Sequence, residues 1–425
     1  MIVVIFTHRS PFGAVPEFVE DEIPFWDEAG RLLVISLAKD AEQSRALAAN
    51  AEACAVSAVS SRSQRLAFIL AGCLRTGVIR EVARFVARGP RGMAARFLSL
   101  ALAVQGVARY YRGAARILAR QGISPADNVL LYSYTAGSGT YAALLLKRRY
   151  FRDRAVVVTR AHGSDLYEYA QAGHYIPFLQ TLLPQCDRVL PISEHGAEYL
   201  RKHWHCEAGK VEVARLGIAD HFSGKYPCRG EQFHLLSCSY VTPVKRVLRI
   251  AEALAGLDRV NLRWTHIGGG PGLADLRSRC QKLLDGKNGV TYDLRGDVPH
   301  ADVVEFFRTE NTNLLVNASS SEGVPVTMME AHCSGIPVLG PAIGGVGDIV
   351  RDGVTGRLLS PDAPVVELTD AILSFIRMEA SAYGQMCKDA RQRWGERYSA
   401  SVNYPAIVES LGRLVQCRNH AGAAL

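Results

Sequence analysis

The sequence predicts an α/β protein made of two doubly wound domains, each built on a parallel sheet. Short, continuous apolar runs alternate with helical patterns, and this alternation starts again after about residue 218. The length of 425 residues agrees, because one hydrophobic core seldom serves so long a chain. We expect an N-terminal domain at 1–217, a C-terminal domain at 218–395, and a helical segment at 396–425 whose return to the first domain is open.

The first domain is expected to begin directly with a strand. The opening MIVVIFTHRSP holds only a short apolar run and lacks a cleavage site of small residues, so it does not resemble a signal peptide. Continuous apolar runs are typical of strands buried on both faces of a parallel sheet. They occur in IVVIFT and at 32–37, 129–134, 155–160 and 188–193. The patterns GAVPEFVEDEIPFWDEAG and SGTYAALLLKRRYF predict helices between them.

The second domain repeats this rhythm. Its apolar runs lie at 233–239, 262–268, 289–296, 312–317 and 336–341. Helices such as VLRIAEALAGL separate them, and the chain is helical from about residue 366 onward. The connection RLGIADHFSGKYPCRG is rich in glycine and turn formers, which predicts a hinge between the domains.

An insertion at about 40–125 is expected to be helical and strongly basic. Its apolar residues recur at helical spacing with arginine on another face, and no strand is expected. Between Ala53 and Arg120 there are twelve arginines and one acid, Glu81, against a net charge of +8 for the whole chain. Basic amphipathic helices favour an anionic membrane surface, with a solvated basic face as the alternative. No aromatic platform or known motif accompanies the charge, so nucleic acid is not an expected partner.

Composition indicates a globular protein of a reducing compartment. Apolar residues make up 48% of the chain and charged residues 21%. Ten cysteines form no C-x-x-C pair and no cluster at metal-ligand spacing, so we expect a cytoplasmic, metal-free fold. No run reaches the roughly 18 apolar residues of a spanning helix. We therefore expect a peripheral protein on the inner face of the cytoplasmic membrane.

The segment at 317–359 is the most informative part of the sequence. A strand is expected to end near Asn317, and Pro325 or Val326 to open a helix after a loop of small residues. The main-chain N–H groups around this helix start, from Gly323 and Val324 onward, would attract an anion at the ligand-binding edge of the sheet.

Two carboxylates flank this predicted anion site. Glu322 lies in the loop and Glu330 about one turn into the helix. One carboxylate can reach a hexose while the other accepts hydrogen bonds from ribose hydroxyls, with a diphosphate between them. This arrangement predicts a nucleotide diphosphate sugar as ligand.

At these residues the chain resembles the retaining glycosyltransferases of family 4. The family hallmark is a glutamate pair in this loop and helix, and EGVPVTMMEA, SGIPVLGPAIGGVGDIV and GVTGRLL all agree with it. The resemblance covers roughly 155–400 and is weaker before that. It implies the GT-B fold, in which two Rossmann-like domains face one another across a cleft. It also implies a nucleotide-sugar donor, and the sequence does not decide whether its nucleotide is UDP or GDP.

The resemblance also implies a cationic clamp on the pyrophosphate. In SCSYVTPVKRV, Lys245 stands where the family lysine stands, but Tyr240 replaces the expected arginine. Arg246 could supply the missing charge, although the side chain of an adjacent helical residue points about 100° away.

Two further turns of the second domain are implied to contact the nucleotide. Gly269 belongs to the glycine turn IGGGPGLADL, which lacks the spacing of a dinucleotide fingerprint. Arg295 and Val298 lie in LRGDVPH, the stretch that holds the base in the family. A simple reversal of the chain explains either turn equally well.

In the first domain, the resemblance gives His162 a place facing the donor sugar. Asp165 could orient its imidazole, contact acceptor hydroxyls, or cap a helix. Gly13 and Pro11 lie in the first loop, which in the family approaches the diphosphate and the acceptor, although turn chemistry alone would explain them. Ser193 is expected to cap a helix.

The resemblance implies a retaining glycosyltransferase, and we expect that it needs no cofactor and no metal. The chain lacks a D-x-D triad, so Lys245, with Arg246 and helix N-termini, would stabilise the leaving diphosphate. The resemblance implies that the departing phosphate takes the acceptor proton, while Glu322 holds the sugar and His162 stabilises charge at the anomeric carbon. The basic insertion favours a polyprenyl-linked or polysaccharide acceptor, as in capsule, lipopolysaccharide or O-antigen assembly.

Two rival functions remain open at this point. One is a nucleotide-sugar epimerase on the same fold. The other is a non-catalytic, membrane-associated assembly partner, which the Tyr240 departure suggests.

Overall fold

The computed structural model describes residues 1–12, 18–37, 47, 49–56, 61–73, 77–287 and 289–423. Unit 1 comprises Met1–Leu216 together with the chain from Asn403 onward, and unit 2 comprises Gly217–Val402. The first division lies one residue from the expected boundary at 217/218. The last helix contributes to unit 1 from residue 403, later than the expected boundary at 395.

Unit 1 is built on a six-stranded parallel sheet in the order β3-β2-β1-β4-β5-β6. Its strands are β1 (Ile2–Thr7), β2 (Arg31–Ser36), β3 (Ala51–Ala55), β4 (Val129–Ser133), β5 (Ala155–Ala161) and β6 (Arg188–Pro191). Its helices are α1 (Val19–Glu22), α2 (Arg62–Cys73), α3 (Val78–Val86), α4 (Met93–Arg120), α5 (Ser138–Leu146), α6 (Leu179–Leu182) and α7 (Glu194–Lys202). The central strands are wholly buried, as their apolar runs predict.

Unit 2 repeats the architecture with a second parallel sheet, in the order β12-β11-β10-β7-β8-β9. Its strands are β7 (Phe233–Cys238), β8 (Leu262–Ile267), β9 (Val290–Gly296), β10 (Leu314–Val316), β11 (Val338–Pro341) and β12 (Gly356–Leu359). The remaining helices are α8 (Leu248–Ala255), α9 (Leu273–Leu284), α10 (His300–Thr309), α11 (Val326–Cys333), α12 (Val346–Ile349), α13 (Val365–Arg377), α14 (Ala380–Arg397) and α15 (Ala400–Ala423). The predicted fold class is confirmed.

The basic insertion differs from its expected all-helical structure. Helices α2, α3 and α4 are confirmed, but β3 also lies within 40–125 and pairs with β2 as an edge strand. Its sequence, AEACA, contains none of the β-branched or aromatic residues that favour strands, so the pattern does not reveal it. Residues 38–46, 48, 57–60 and 74–76 of this region lie outside the described residues.

A buried ionic network joins the sheet of unit 1 to its first helix. Arg160 on β5 and Glu22 at the end of α1 are fully buried, and their Nη2 and Oε2 atoms lie 2.9 Å apart. The Arg160 Nε also donates to the Tyr132 hydroxyl, and the Trp26 indole N–H donates to Glu22. Burial opposes the charge on Arg160, but Tyr132 and Glu22 outweigh it, so the pKa of the guanidinium is raised.

We expect Glu22→Gln to lower the free energy of unfolding by about 3 kcal/mol, because it leaves a buried guanidinium without its counter-charge. Urea unfolding followed by circular dichroism measures the change. Glu28→Gln removes an exposed carboxylate nearby and serves as the control, with an expected change within about 0.5 kcal/mol. Equal stability of the two variants would show that the pair does not stabilise unit 1.

Two buried histidines make unit 2 sensitive to acid. Burial lowers the pKa of His266, on β8, to about 4, and the same cause lowers the pKa of His332, on α11, to about 4. His266 shares a hydrogen bond of 2.8 Å with the Ser237 hydroxyl, and the His332 Nε2 lies 3.2 Å from the Thr355 carbonyl oxygen. An unfolded histidine has a pKa of about 6.5. Between these two pKa values the unfolded chain binds protons that the folded chain does not.

The free energy of unfolding should therefore fall as the pH is lowered from about 6.5 toward 4, by at most about 1.4 kcal/mol per pH unit for each imidazole. The measurement is urea unfolding at several pH values. His266→Gln should reduce this pH dependence, whereas His205→Gln, at an exposed histidine, should leave it unchanged. An unaltered slope in His266→Gln would contradict the assignment.

Candidate functional site

The crevice of unit 2 lies where its strand order reverses, beside β7. Strands β8 and β9 follow on one side of β7, whereas β10 pairs with its other side. In a doubly wound sheet, ligands bind outside the carboxyl ends of the strands at such a point. A small cavity opens there, and its lining includes Ser239, Lys245, Asn317 and Thr327. The loops that follow β7 and β10 therefore supply the candidate site.

An ion pair between Lys245 and Glu322 joins these two loops. The Lys245 ammonium donates to both carboxylate oxygens of Glu322, at 2.7 and 2.9 Å. Oε1 of this carboxylate also accepts from the Asn317 amide at 3.0 Å and from the Ser319 hydroxyl at 2.5 Å. The Glu322 side chain is only 7% exposed, and its three partners hold it in one orientation. Sequence reasoning missed Asn317 and Ser319, whose polar types also suit an ordinary loop.

The Arg246 guanidinium does not join the Lys245 ammonium as a second cation of the crevice. It donates to three main-chain carbonyls, those of Ala318, Ser319 and Pro361, at 2.8 to 3.0 Å. The Arg246 backbone has a φ of 47°, which turns the side chain toward that loop. Burial, with repulsion from Arg249, lowers its pKa. In this arrangement Arg246 therefore does not take the place of the arginine of the family clamp. Tyr240, which stands at the position of that arginine, is 61% exposed.

Helix α11 points its start at the same loop. It begins at Val326 with Pro325 as its N-cap, as the sequence predicts. Within the described part of the chain, the N–H groups of Gly323, Val324 and Val326 have no protein acceptor. These groups, together with the positive end of the helix dipole, can bind an anion beside Lys245.

Glu330 lies in the second turn of α11 and is 3% exposed. One of its carboxylate oxygens is 2.8 Å from Nε2 of His300, the first residue of α10. Burial raises the pKa of the Cys238 thiol to about 12, and the Glu330 carboxylate adds to this rise. Since Cys238 ends β7, both glutamates lie near the carboxyl end of that strand. Sequence reasoning missed His300, although its place as the last residue of LRGDVPH was a usable signal.

The glycine turn after β8 is closed by another carboxylate. The Gly269 N–H donates to Oδ1 of Asp297 at 3.0 Å. A β-carbon on Gly268 would lie 1.9 Å from the Ser239 carbonyl oxygen, so this turn packs against the end of β7. Sequence reasoning did not foresee the role of Asp297. The Gly269 amide is therefore occupied within the protein, and close packing explains the neighbouring glycine.

Arg295 and Val298 lie on the far edge of this sheet. The Arg295 Nε donates to Asp293 at 3.0 Å, and its guanidinium lies 4.8 Å from the centre of the Phe306 ring. Val298 is half-buried just before Pro299, the N-cap of α10. The structure groups neither side chain with Lys245 and Glu322.

In unit 1, Asp165 connects the ends of two neighbouring strands. Its carboxylate accepts from the His162 N–H at 2.5 Å, after β5, and from the Ala136 N–H at 2.7 Å, after β4. No α-helix starts directly after it, and Tyr167 is the N-cap of the short helical turn that begins at Glu168, so a helix-capping role for Asp165 is wrong. The His162 Nδ1 lies 3.6 Å from the carboxylate, and this buried nitrogen has no hydrogen-bond partner in the described residues. The Asp165 carboxylate thus binds the main chain of His162 through a hydrogen bond, whereas the His162 ring only lies close to it.

The first loop of unit 1 is described only in part. Pro11 is buried, and the Phe12 N–H donates to the Arg9 carbonyl at 2.7 Å in a tight turn. Gly13 lies outside the described residues.

Ser193 accepts from the Gly196 N–H at 3.0 Å and caps α7, which confirms the predicted helix cap.

A wide cavity of unit 1 lies away from these residues. Its lining includes Ile2, Arg31 and Asn128, which stand at or next to the amino ends of β1, β2 and β4, together with residues of α15. Because ligands of doubly wound sheets bind at the opposite edge, we do not assign the candidate site to this cavity.

The described residues contain neither a metal-binding cluster nor a membrane-spanning helix. No group of three or more His, Cys, Asp or Glu side chains is arranged there to hold a metal ion. None of the helices described combines the length and apolar character needed to cross a bilayer.

Comparison with known sequences places this site in a family context. Residues 79–221 match the family model described as Glycosyltransferase Family 4, and residues 220–397 match that of Glycosyl transferases group 1. Over 275 residues the chain is 28% identical to the putative colanic acid biosynthesis glycosyltransferase WcaL of Salmonella typhimurium, a match that covers 62% of this chain and 64% of that protein. It is 25% identical over 265 residues to the amylovoran biosynthesis glycosyltransferase AmsK of Erwinia amylovora, covering 60% and 64%. The chain thus spans 64% of the length of these relatives.

Solved structures show the same fold at low sequence identity. A glycosyltransferase from Rickettsia africae superposes with a TM-score of 0.67 and 13% identity over 97% of this chain and 98% of the other. Sucrose-phosphate synthase from Thermosynechococcus elongatus gives 0.69 and 15%, over 98% and 99%. Anabaena Alr3699/HepE in complex with UDP and glucose gives 0.62 and 14%, over 97% and 100%. The two parallel sheets with their helices therefore form a two-domain GT-B fold.

A double-mutant cycle of Lys245→Met and Glu322→Gln tests the central contact. Because Glu322 is buried, we expect an interaction free energy of about 1 kcal/mol or more from urea unfolding. Lys202 and Glu198 on α7 form the control pair, since their side chains are 80% and 63% exposed. Their interaction should stay within about 0.5 kcal/mol. Equal values for the two pairs would contradict a fixed Lys245–Glu322 contact.

Proposed function

Since this chain belongs to the glycosyltransferases, with a family 4 domain followed by a group 1 domain, we propose that it transfers a hexose-type sugar from a nucleotide diphosphate to a cell-envelope glycan. The observation that carries this proposal is the Lys245–Glu322 pair at the strand-order reversal of unit 2. It stands before a helix start whose N–H groups are open to an anion.

The diphosphate of the donor would take Lys245 away from Glu322. An ammonium and a row of main-chain N–H groups stabilise a leaving diphosphate without rearranging during the reaction. Asn317 and Ser319 would keep the Glu322 carboxylate in place, and the oxygen that Lys245 releases would accept from sugar hydroxyls. Glu330, held by His300, would accept from the ribose hydroxyls. The UDP and glucose in the Anabaena protein support a donor of this class.

We propose retention of configuration without a metal ion. The acceptor oxygen would attack on the face from which the phosphate departs, and a phosphate oxygen would take the proton. Glu322 would then position the sugar and need not act as a nucleophile. For His162 we keep the role that the family resemblance implies, stabilisation of charge at the anomeric carbon.

The acceptor is proposed to be a lipid-linked or polysaccharide glycan at the inner face of the cytoplasmic membrane. The names of the relatives, which refer to colanic acid and amylovoran biosynthesis, support a polysaccharide product. The exposed Tyr240 favours a second candidate, a non-catalytic assembly partner, because it leaves Lys245 as the one cation of the clamp in the described residues.

Turnover of UDP- and GDP-sugars, with and without a saccharide acceptor, tests the proposal. We expect the wild type to release nucleoside diphosphate and Lys245→Ala and Glu322→Ala to be slower by about 100-fold or more, because each removes a group that positions the donor or stabilises charge. Lys202→Ala, at an exposed lysine of α7, should match the wild type. A chelator should change nothing, and the anomeric configuration of the product should match that of the donor.

Three other results would overturn parts of this proposal. Interconversion of nucleotide sugars without an acceptor would indicate an epimerase. Absence of turnover with every donor would favour the assembly partner. Inactivation by the chelator would reject the metal-independent reaction.

A further inference from the structure

Helices α2, α3 and α4 carry an outer surface that the core of unit 1 does not use. Large apolar side chains that are at least one-third exposed concentrate there within 37 residues. They are Leu66 (59%), Leu70 (58%), Ile79 (87%), Val86 (48%), Phe97 (48%), Leu98 (63%) and Leu102 (59%). The sequence predicts arginine on a face of these helices other than the apolar one, and the structure shows that large apolar side chains are exposed there too. We call these seven residues the apolar crest.

The crest follows the periodicity of each helix. Leu66 and Leu70 are four residues apart on α2, and Leu98 and Leu102 have the same spacing on α4, so each pair lies on one side of its helix. The opposite side of α4 packs into the core through residues such as Leu100 and Val104. Each of these helices therefore has an apolar stripe beyond the one that the core buries.

The three helices form one packed layer. A β-carbon on Gly72 of α2 would lie 2.4 Å from Val104 of α4, so these helices cross in close contact. The rings of Phe85 on α3 and Phe97 on α4 lie 4.8 Å apart, edge to face. The outer surface of the layer is consequently supported by the fold.

Every exposed charge that the structure describes between Ala53 and Arg120 is basic. Six described arginines of this segment are exposed; Arg88 pairs with Glu168, and the other five form no ion pair within the described residues. These five are Arg65, Arg80, Arg91, Arg116 and Arg120. The one acid between Ala53 and Arg120, Glu81, is 3% exposed and accepts from the Tyr175 hydroxyl at 2.9 Å. No carboxylate of this segment therefore offsets the exposed arginines.

We infer that the apolar crest inserts into the surface of an anionic bilayer while the exposed arginines bind the lipid phosphates. Apolar stripes flanked by arginine are the pattern of helices that lie in a membrane interface. Charge complementarity selects this occupant, because a second copy of the chain would bring like charges together. Nucleic acid would satisfy the arginines but would leave the leucines in water. This inference rests on the proposed function only for its purpose, which is to bring the chain to a lipid-linked acceptor.

Vesicle co-sedimentation of the full chain tests the inference. The wild type should bind vesicles that contain phosphatidylglycerol, bind pure phosphatidylcholine vesicles weakly, and lose affinity in high salt. A triple variant, Leu66→Ser, Ile79→Ser and Leu98→Ser, should bind anionic vesicles at least about tenfold more weakly, because the apolar contribution is removed. Val366→Ser, at a residue of unit 2 that is 60% exposed, is the matched control and should bind as the wild type does.

Tryptophan fluorescence distinguishes insertion into the bilayer from electrostatic adsorption to its surface. It uses single substitutions, so it remains informative if the triple variant does not fold. Leu98→Trp should show a blue shift of tryptophan emission with anionic vesicles, whereas Val366→Trp should show none. Failure of the wild type to prefer anionic vesicles, or emission from Leu98→Trp that stays unshifted, would overturn the inference. So would binding of a DNA duplex in place of vesicles, or a dimer in solution that Ile79→Ser dissociates.

Donor turnover in detergent distinguishes this inference from the proposed function. Normal turnover in the triple variant together with weak vesicle binding supports the docking surface. Normal vesicle binding by a wild type that turns over no donor supports the docking surface as well, and rejects the proposed function.

Discussion

The ion pair between Lys245 and Glu322 is the contact on which the candidate site depends. It joins the loops that follow β7 and β10, the two strands between which the order of the sheet reverses. Around it, Asn317 and Ser319 fix the carboxylate, and Arg246 fixes the carbonyls of the same loop. The result is a prepared pair of opposite charges beside an open helix start. An anionic ligand that binds the Lys245 ammonium must compete with Glu322 for it.

This competition explains how one short segment can serve two parts of a donor. The start of α11 and Lys245 suit a diphosphate, and in the proposed reaction Glu322 and Glu330 would accept hydrogen bonds from hydroxyl groups on either side of it. Both glutamates are almost fully buried in unit 2, so their orientation is set by the fold. The second cation of the family clamp is absent at Tyr240, and Arg246 is occupied elsewhere. In the proposed donor complex, Lys245 would therefore carry more of the anion binding than its counterpart in the family does.

Patterns along the chain predict most of the architecture, because buried parallel strands leave continuous apolar runs. They miss β3, whose alanines carry no strand preference, and β12, which follows a glycine turn. They also predict the start of α11 and the two glutamates, since loop composition and spacing are local properties. The partners of those glutamates depend on tertiary packing. His300 reaches Glu330 from a helix thirty residues away in the chain, and the positive φ of Arg246 is not encoded by a glycine or an asparagine.

Calorimetric titration of UDP and GDP into the wild type and Glu322→Gln tests the competition most directly. Glutamine keeps the shape of the side chain but releases Lys245 from its carboxylate. The account predicts that Glu322→Gln binds the nucleoside diphosphate more tightly than the wild type does, although it turns over the nucleotide sugar more slowly. Equal or weaker binding of both nucleoside diphosphates by Glu322→Gln would contradict it.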